Sequence, residues 1–116
     1  MLIQFCKSKI AHATVTQAEL YYEGSITIDE NLMKAVNLIP GERVDVLNIH
    51  NGNRFDTYAI KGPAGSGVIC LNGPAARLGV VGDKVIILSY AYMEPQEAQK
   101  TEMKIIHLNE KNKIKK

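Results

Sequence analysis

The chain has 116 residues, the length of a single domain with one buried core. Its net charge of +2 is too weak to indicate a nucleic-acid-binding protein. Residues 1–5 lack the basic start of a signal peptide, and no apolar run reaches the length of a membrane span. Cys6 and Cys70 lack a metal-type spacing and the histidines are dispersed. We therefore expect free thiols, no metal site and a soluble, cytoplasmic protein.

Runs of apolar and β-branched residues, separated by turn signals, predict a mainly β domain. The predicted strands cover residues 2–7, 12–16, 25–28, 44–49, 54–60, 68–71, 84–92 and 104–108. The strand over 84–92 is almost continuously apolar, so we expect it to be buried on both faces. The strand over 104–108 is expected at a sheet edge.

Short helices and one tight turn are predicted between these strands. Asp29 has the position of an N-cap before a helix over residues 30–36. Asn51-Gly52 predicts a type I′ hairpin turn. Further helical turns are expected over residues 74–77 and 95–98.

The C-terminal tail is strongly basic. Residues 111–116 read Lys-Asn-Lys-Ile-Lys-Lys. A short charged end of this kind is typical of a frayed, solvated terminus, which is what we predict here.

The chain contains a weak internal repeat. After a shift of 41 positions, Ser25 falls on Ser66, and the run from Gly41 to Val44 falls on the run from Gly82 to Val85. The repeat predicts two related units of strand, short helix, turn and strand. Such units fit a small barrel with pseudo-twofold symmetry, although two such units can also resemble each other by chance.

The dipeptide Gly24-Ser25 can itself become a reagent. If the backbone is strained, Ser25 Oγ can attack the Gly24 carbonyl carbon and convert the amide into an ester. Elimination then leaves dehydroalanine, which hydrolyses to a pyruvoyl group and ammonia and leaves the chain cut between the two residues. A protein-bound ketone forms a Schiff base with an amine and accepts carbanion charge. The structural alternative is a turn that leads into a strand.

Several polar residues would come together in a barrel. Arg54, Asp56 and Tyr58 share one face of a predicted strand, and Thr57 points to the other. A structural explanation exists as well, since Arg54 flanks the hairpin and Thr57 and Tyr58 are favourable in strands. The remaining members of this polar set are Lys9, Tyr22 and Asn72.

These residues belong to motifs that span most of the chain. The motifs are Lys9, Val15-Thr16, Tyr22-Glu23-Gly24-Ser25, Asn51-Gly52, Arg54-Phe55, Thr57-Tyr58-Ala59-Ile60, Asn72-Gly73, Ala75-Ala76 and Val81-Gly82-Asp83. In them the chain resembles the pyruvoyl-dependent aspartate 1-decarboxylases of bacterial pantothenate biosynthesis. The resemblance implies a double-psi β-barrel with short helices. It also implies a single domain that cleaves itself into a small chain, 1–24, and a large pyruvoyl chain, 25–116.

The resemblance implies a role for each matching residue. Ser25 is the precursor of the pyruvoyl cofactor, and Gly24 ends the small fragment. Thr57 stabilises the oxyanion or ester during cleavage, and Tyr58 protonates the carbanion left when CO₂ departs. Tyr22 lies beside the cleavage site. The substrate-binding residues are expected to be Lys9 and Arg54, which hold carboxylates, with Thr57, Asn72, Gly73, Pro74 and Ala75.

The implied reaction is decarboxylation of L-aspartate to β-alanine and CO₂, which feeds the synthesis of pantothenate and coenzyme A. The resemblance implies a homotetramer with sites at subunit boundaries, so Arg54 and Lys9 are expected to act across an interface. Some members need a helper protein for cleavage, so the resemblance leaves open both spontaneous cleavage and cleavage that needs a maturation factor.

Three positions depart from the family pattern. Many members have a histidine where this chain has Ala11, and His12 follows one place later. Because a shift of one residue turns a strand side chain to the opposite face, we assign no role to His12. Asp56 replaces a usual serine. Pro74 replaces a usual alanine and removes a backbone N–H beside the expected substrate.

Two other functions remain open on the residues alone. In the first, the chain is a non-catalytic small β-barrel that binds a ligand or a protein, and it stays uncut. In the second, it is a nucleic-acid-binding barrel, which the weak net charge and the lack of clustered aromatic residues oppose.

Overall fold

The chain forms one eight-stranded sheet with short helices in its connections. The computed structural model describes all 116 residues. The strands, in chain order β1 to β8, are Ile3–Thr14, Gln17–Glu19, Ile26–Asp29, Arg43–Asn48, Arg54–Gly62, Ile69–Asn72, Lys84–Met93 and Lys104–His107. The helices are α1 (Glu30–Ala35), α2 (Pro95–Lys100) and a 3₁₀ helix (Gly73–Arg77). Neither α-helix has the length or apolar character that a membrane crossing needs.

The sheet closes into a barrel. Its strand order is β2-β6-β3-β5-β4-β7-β1-β8. Only Val15 and Thr16 separate β1 from β2, so the strand that pairs with β7 continues directly into the strand that pairs with β6. Thr16 N donates a hydrogen bond to Ile69 O at 2.8 Å across this junction. Closure of this kind leaves few free sheet edges, and β8 adds to β1 as the predicted edge strand.

The internal repeat corresponds to a structural repeat. β3, α1 and β4 in the first unit match β6, the 3₁₀ helix and β7 in the second. The parallel pairs β3–β5 and β2–β6 flank the antiparallel pair β3–β6. Two related units joined in this way form a double-psi β-barrel. The predicted mainly β fold is confirmed.

Alternating burial along β3 separates the core from the polar side of the barrel. Ile26 and Ile28 belong to a hydrophobic cluster of 18 buried residues. Successive strand residues point to opposite faces. Ser25 and Thr27 therefore point away from this cluster and towards the side where the polar residues collect.

Asp29 is a buried carboxylate that begins α1 and holds a neighbouring loop. It is 1% exposed. Its Oδ1 accepts hydrogen bonds from Asn31 N at 2.8 Å and Gly65 N at 3.0 Å, and its Oδ2 accepts from Gly67 N at 2.8 Å. The predicted N-cap is confirmed, and the same side chain fixes the Gly- and Pro-rich loop before β6.

The hairpin after β4 forms, but the predicted type I′ turn is wrong. Such a turn needs positive φ at both central residues, and only Gly52 has it, at 77°. Asn48 N donates to Asn53 O, so four residues form the loop. The side-chain oxygens of Asn48 and Asn51 accept N–H bonds from His50 and Asn53. These Asx turns stabilise the longer loop.

The strands of the structure differ in three places from the predicted ones. β2 (Gln17–Glu19) was not predicted. β1 is one strand of 12 residues rather than two short ones, with bulges that the sequence pattern did not reveal. β7 is largely buried up to Ser89, but beyond it Tyr90 and Tyr92 are exposed, Tyr92 to 70%, and only Met93 is buried. The prediction of burial on both faces is therefore wrong for the end of β7, which extends beyond the core.

The prediction of a frayed C-terminal tail is also wrong. Asn112 is 1% exposed and adopts a left-handed conformation, with φ at 57°. Its Oδ1 accepts from Thr14 N, and its Nδ2 donates to Thr14 O and Gly67 O, each at 2.8 Å. Leu108 and Ile114 form a β-bridge around it. One buried amide thus docks the tail on the barrel.

We predict that Asp29→Asn lowers the free energy of unfolding by about 1–3 kcal/mol near neutral pH. Desolvation raises the pKa of Asp29, but the three amide hydrogen bonds and the charge of Lys113 outweigh it, so the pKa lies below its ordinary value of 3.8. The native state therefore favours the ionised carboxylate. This contribution to stability is present above 3.8 and is lost as the pH falls through the lowered pKa.

Chemical unfolding of wild type and variant over a pH series tests this prediction. The stability difference should stay constant well above 3.8 and shrink below it. Asp45→Asn is the control, because Asp45 makes no side-chain hydrogen bond or ion pair. A stability difference for Asp29→Asn that does not change on acidification would contradict the assignment.

Candidate active site

The backbone at Gly24-Ser25 has an unusual conformation immediately before β3. Ser25 is fully buried and has a φ of 89°, and Gly24 has a φ of 142°. A residue with a side chain is disfavoured at positive φ, and holding it there costs on the order of 1–3 kcal/mol. The amide between these two residues is therefore next to a strained residue that the surrounding structure holds in place.

Gly73, at the start of the 3₁₀ helix, packs directly against this segment. Its φ is 67°. A Cβ atom on Gly73 would lie 2.5 Å from Tyr22 O and 2.8 Å from Gly24 N. Only glycine permits this approach, because any side chain would push the segment before Ser25 away.

Ser25 is held by side chains from two neighbouring strands. Its backbone N donates to Thr57 Oγ1 at 3.1 Å. Asn72 Nδ2 donates to Ser25 Oγ at 2.9 Å, and Asn72 N donates to Ser25 O at 3.1 Å. The amide nitrogen, the hydroxyl and the carbonyl of this one residue are therefore all fixed. Thr57 points towards Ser25, as the alternation along β5 predicts.

The side-chain amide of Asn72 has two further partners that sequence reasoning missed. Its Nδ2 donates to Thr27 Oγ1 at 2.9 Å, and its Oδ1 accepts from Cys70 Sγ at 3.2 Å. The pKa of the Cys70 thiol is raised, mainly because the thiol is buried, and the nearby charge of Glu19 raises this pKa further. The period of two along β3 and β6, which places Thr27 beside Ser25 and Cys70 beside Asn72, was the available signal.

A cavity of about 250 Å³ adjoins this dipeptide. Five of the predicted substrate-binding or catalytic residues line it together with Gly24: Thr57, Tyr58, Asn72, Pro74 and Ala75. The other lining residues are Glu23, Phe55, Asp56 and Leu78, of which only Asp56 had been singled out from the sequence. Ser25 itself does not line the cavity but is hydrogen-bonded to two residues that do. Tyr58 is 44% exposed, so its phenol lies at an open side of the cavity.

Lys9 and Arg54 are not among the lining residues. Lys9 lies on β1 opposite Leu88, and Arg54 begins β5 with its side chain exposed. The charged residues that do line the cavity are both acidic, Glu23 and Asp56. One chain therefore brings Gly24-Ser25, Thr57, Tyr58 and Asn72 together, but no basic side chain lines the cavity. Arg43 pairs with the lining residue Asp56 at 3.3 Å from outside it.

Tyr22 and His12, both considered in the sequence analysis, lie outside the cavity lining. Tyr22 is exposed, and its backbone oxygen is the atom that a Cβ on Gly73 would approach most closely. His12 lies in a bulge of β1 with a φ of 64°, and its ring meets His107 edge-on at 6.3 Å. It does not line the cavity. No group of three or more His, Cys, Asp or Glu side chains in the structure is placed to hold a metal ion.

Comparison with known proteins identifies the family. A sequence model described as aspartate decarboxylase matches residues 1–115. The chain belongs to the aspartate decarboxylase family. It is 59% identical over 107 residues to the aspartate 1-decarboxylase of Thermoanaerobacter pseudethanolicus, covering 92% of both chains. It is 56% identical over 114 residues to that of Caldicellulosiruptor saccharolyticus, covering 98% of this chain and 89% of the relative.

Among solved structures, this family member is similar to a computationally designed protein, msDPBB_sym2. The similarity has a TM-score of 0.49 at 16% sequence identity, and it covers 77% of this chain and 99% of the designed one.

We predict that Gly73→Ala destabilises the chain more than Gly82→Ala does. Both glycines have positive φ, so alanine meets a similar backbone cost of about 1 kcal/mol at each position. A Cβ on Gly82 meets open space, whereas one on Gly73 meets Tyr22 O and Gly24 N. The clash should add about 1–3 kcal/mol for Gly73→Ala alone. Chemical unfolding of both variants measures the difference, and equal losses would show that the close approach is unimportant.

Proposed function

We propose that this chain is an aspartate 1-decarboxylase that converts L-aspartate to β-alanine and CO₂ and thereby supplies pantothenate synthesis. Membership of the family supports the activity. The observation in the structure that most supports it is the buried, strained Ser25, hydrogen-bonded to Thr57 and Asn72 beside a cavity. A turn that only connected two strands would not need a serine at positive φ whose backbone N–H, carbonyl and hydroxyl oxygen are all hydrogen-bonded.

We further propose that Ser25 is the precursor of a covalent pyruvoyl cofactor. The chain would be cut after Gly24 into residues 1–24 and 25–116. The residues around Ser25 fit a pyruvoyl cofactor formed at this position. Ser25 is held at positive φ, and cleavage of the peptide bond between Gly24 and Ser25 would relieve that backbone strain. Thr57 Oγ1 accepts from Ser25 N, which leaves the threonine hydroxyl hydrogen available to an oxygen on the neighbouring Gly24 carbonyl. When formed, the group supplies a ketone that takes up the electrons released with CO₂.

The side chains around the cavity have separable roles in this proposal. Tyr58 presents its phenol at the open side of the cavity and is the general acid that protonates the substrate carbon. Asn72, Pro74 and Ala75, with Gly73 behind them, form the wall that orients the substrate. Phe55 and Leu78 supply apolar surface that limits the access of water.

Lys9 and Arg54 are the proposed partners of the substrate carboxylates. The cavity of one chain contains two acidic residues and no basic one, which disfavours a substrate with two carboxylates. Arg54 lies two residues from Asp56 on the same face of β5, and Asp56 lines the cavity. We propose that a homotetramer brings Arg54 and Lys9 to the cavity at a subunit boundary, and that a maturation factor can assist cleavage.

We predict that Arg54→Ala raises KM for L-aspartate about 30-fold or more, because loss of one partner of a charge pair costs about 2–5 kcal/mol. The kcat of the cleaved enzyme should change little, since this contact forms equally in the ground and transition states. Self-cleavage should be intact, because Arg54 makes no contact with Ser25. β-Alanine and CO₂ release from L-aspartate are measured in wild type and variant.

Arg77→Ala is the matched control for this assay. Arg77 is another exposed arginine, at the end of the 3₁₀ helix, and it neither pairs with a carboxylate nor lines the cavity. The variant should retain the wild-type KM within about threefold. An unchanged KM in Arg54→Ala would overturn its assignment. A correctly cleaved wild type that releases no β-alanine from aspartate would overturn the proposed activity.

A further inference from the structure

We propose that Cys70 and Thr27 are positioning residues for self-cleavage. They fix the side-chain amide of Asn72 so that it donates to the Ser25 oxygen that becomes the leaving group. The inference rests on the proposed self-cleavage and assigns roles to two residues outside the cavity lining.

The side-chain amide of Asn72 uses both of its N–H groups and its oxygen in hydrogen bonds. Its two Nδ2 hydrogens go to Ser25 Oγ and Thr27 Oγ1, both at 2.9 Å. Its Oδ1 accepts from Cys70 Sγ at 3.2 Å. Ser25, Cys70 and Asn72 are buried and Thr27 is half-buried, so water has little access to these hydrogen bonds.

Cys70 and Thr27 together select one of the two orientations of this amide. If the amide rotated by half a turn, its oxygen would face Ser25 and Thr27, and its N–H group would face the sulfur. A thiol is a weak acceptor, so that orientation would leave a buried donor poorly satisfied. Burial raises the pKa of the Cys70 thiol, which therefore keeps the proton that it donates.

The chemistry of cleavage places charge on the atom that Asn72 contacts. Ser25 Oγ attacks the Gly24 carbonyl carbon, the C–N bond breaks, and the hydroxyl proton ends on the Ser25 nitrogen, which gives an ester and an amine. A base then takes the Ser25 Cα proton, and the Cβ–Oγ bond breaks with its electron pair on Oγ. Gly24 leaves as a carboxylate that contains this oxygen. The enamine that remains tautomerises to an imine, and water displaces its nitrogen as ammonia to leave the ketone.

Asn72 Nδ2 is therefore placed to stabilise the negative charge that develops on Oγ in the elimination step. Stabilisation requires that an N–H group, and not the amide oxygen, faces Oγ. Thr27 and Cys70 keep it there when the ester forms and the geometry around Ser25 relaxes. Loss of either residue should slow elimination more than ester formation.

The test follows newly synthesised, labelled chains in a cell-free translation reaction. Cys70→Ala and Thr27→Val remove one hydrogen bond each with little change of shape. Cys70→Ser puts a hydroxyl donor in the place of the thiol, and Thr27→Ser keeps the hydroxyl. Cys6→Ala is the thiol control, because Cys6 is on β1 and its thiol donates a hydrogen bond to Ser8 O, at 3.6 Å, and not to a residue of the site. Samples are divided, and one half is treated briefly with hydroxylamine at neutral pH, which cuts the ester. Only the fragments 1–24 and 25–116 are counted, because Asn51-Gly52 and Asn72-Gly73 are cut by hydroxylamine at alkaline pH.

We expect Cys70→Ala and Thr27→Val to cleave about three- to tenfold more slowly than wild type, the effect of one lost hydrogen bond. Hydroxylamine-sensitive chains should accumulate in both variants. The two serine variants should restore the rate, and Cys6→Ala should match wild type. A purely structural role would instead lower the thermal stability without accumulation of ester.

Two results would overturn the inference while leaving the proposed function intact. One is wild-type cleavage kinetics in both Cys70→Ala and Thr27→Val. The other is slow cleavage without hydroxylamine-sensitive chains. If the wild type stays uncut, the proposed function fails in this reaction, and the exchange of the Asn72 side-chain amide protons with D₂O tests the inference in the intact chain. Faster exchange in both variants supports it, and unchanged exchange overturns it.

Discussion

The close approach of Gly73 to the backbone of Tyr22 and Gly24 is the constraint on which the rest of the site depends. A Cβ atom there would lie 2.5 Å from Tyr22 O, so the two segments are in contact through their backbones alone. This contact holds Gly24 against the start of the 3₁₀ helix and leaves Ser25 at a φ of 89°. The strain at Ser25 is therefore maintained by packing, and hydrogen bonds to Thr57 and Asn72 then fix the groups that the chemistry uses.

The barrel brings these groups together because β3 pairs with two strands at once. Ile26 is opposite Ala59 in the parallel pair with β5 and opposite Leu71 in the antiparallel pair with β6. Thr57 and Asn72 consequently lie on either side of Ser25, although 32 and 47 residues separate them from it in the chain. A slip of one residue in either pairing would turn one of these side chains away from Ser25. Burial of Ile26 and Ile28 in the core fixes that register.

Motif spacing and local propensity predicted much of this arrangement. The repeat predicted the barrel, alternation along β5 separated Thr57 from Tyr58, and Asp29 marked the start of α1. The partners of Asn72 were missed because the period of two shows only which residues share a face of one strand, and the pairing of β3 with β6 is needed to bring Thr27 to Asn72. The docked tail was missed because a basic, polar end is usually solvated, and one buried amide, Asn112, reverses that expectation through bonds to distant backbone groups. The cavity of one chain has no basic lining residue. The basic side chains that we propose to reach it at a subunit boundary cannot be placed from the sequence of one chain.

The central claim is that the strained dipeptide cleaves itself and creates the cofactor, and the intact mass of the purified protein under denaturing conditions tests it most directly. The account predicts two fragments, residues 1–24 and the 92 residues that remain (116 − 24). The larger fragment should be lighter than its serine form by one molecule of ammonia. A larger fragment that begins with serine would show that the ester is only hydrolysed. A single uncut mass that persists after heating and after incubation with cell extract would contradict the account.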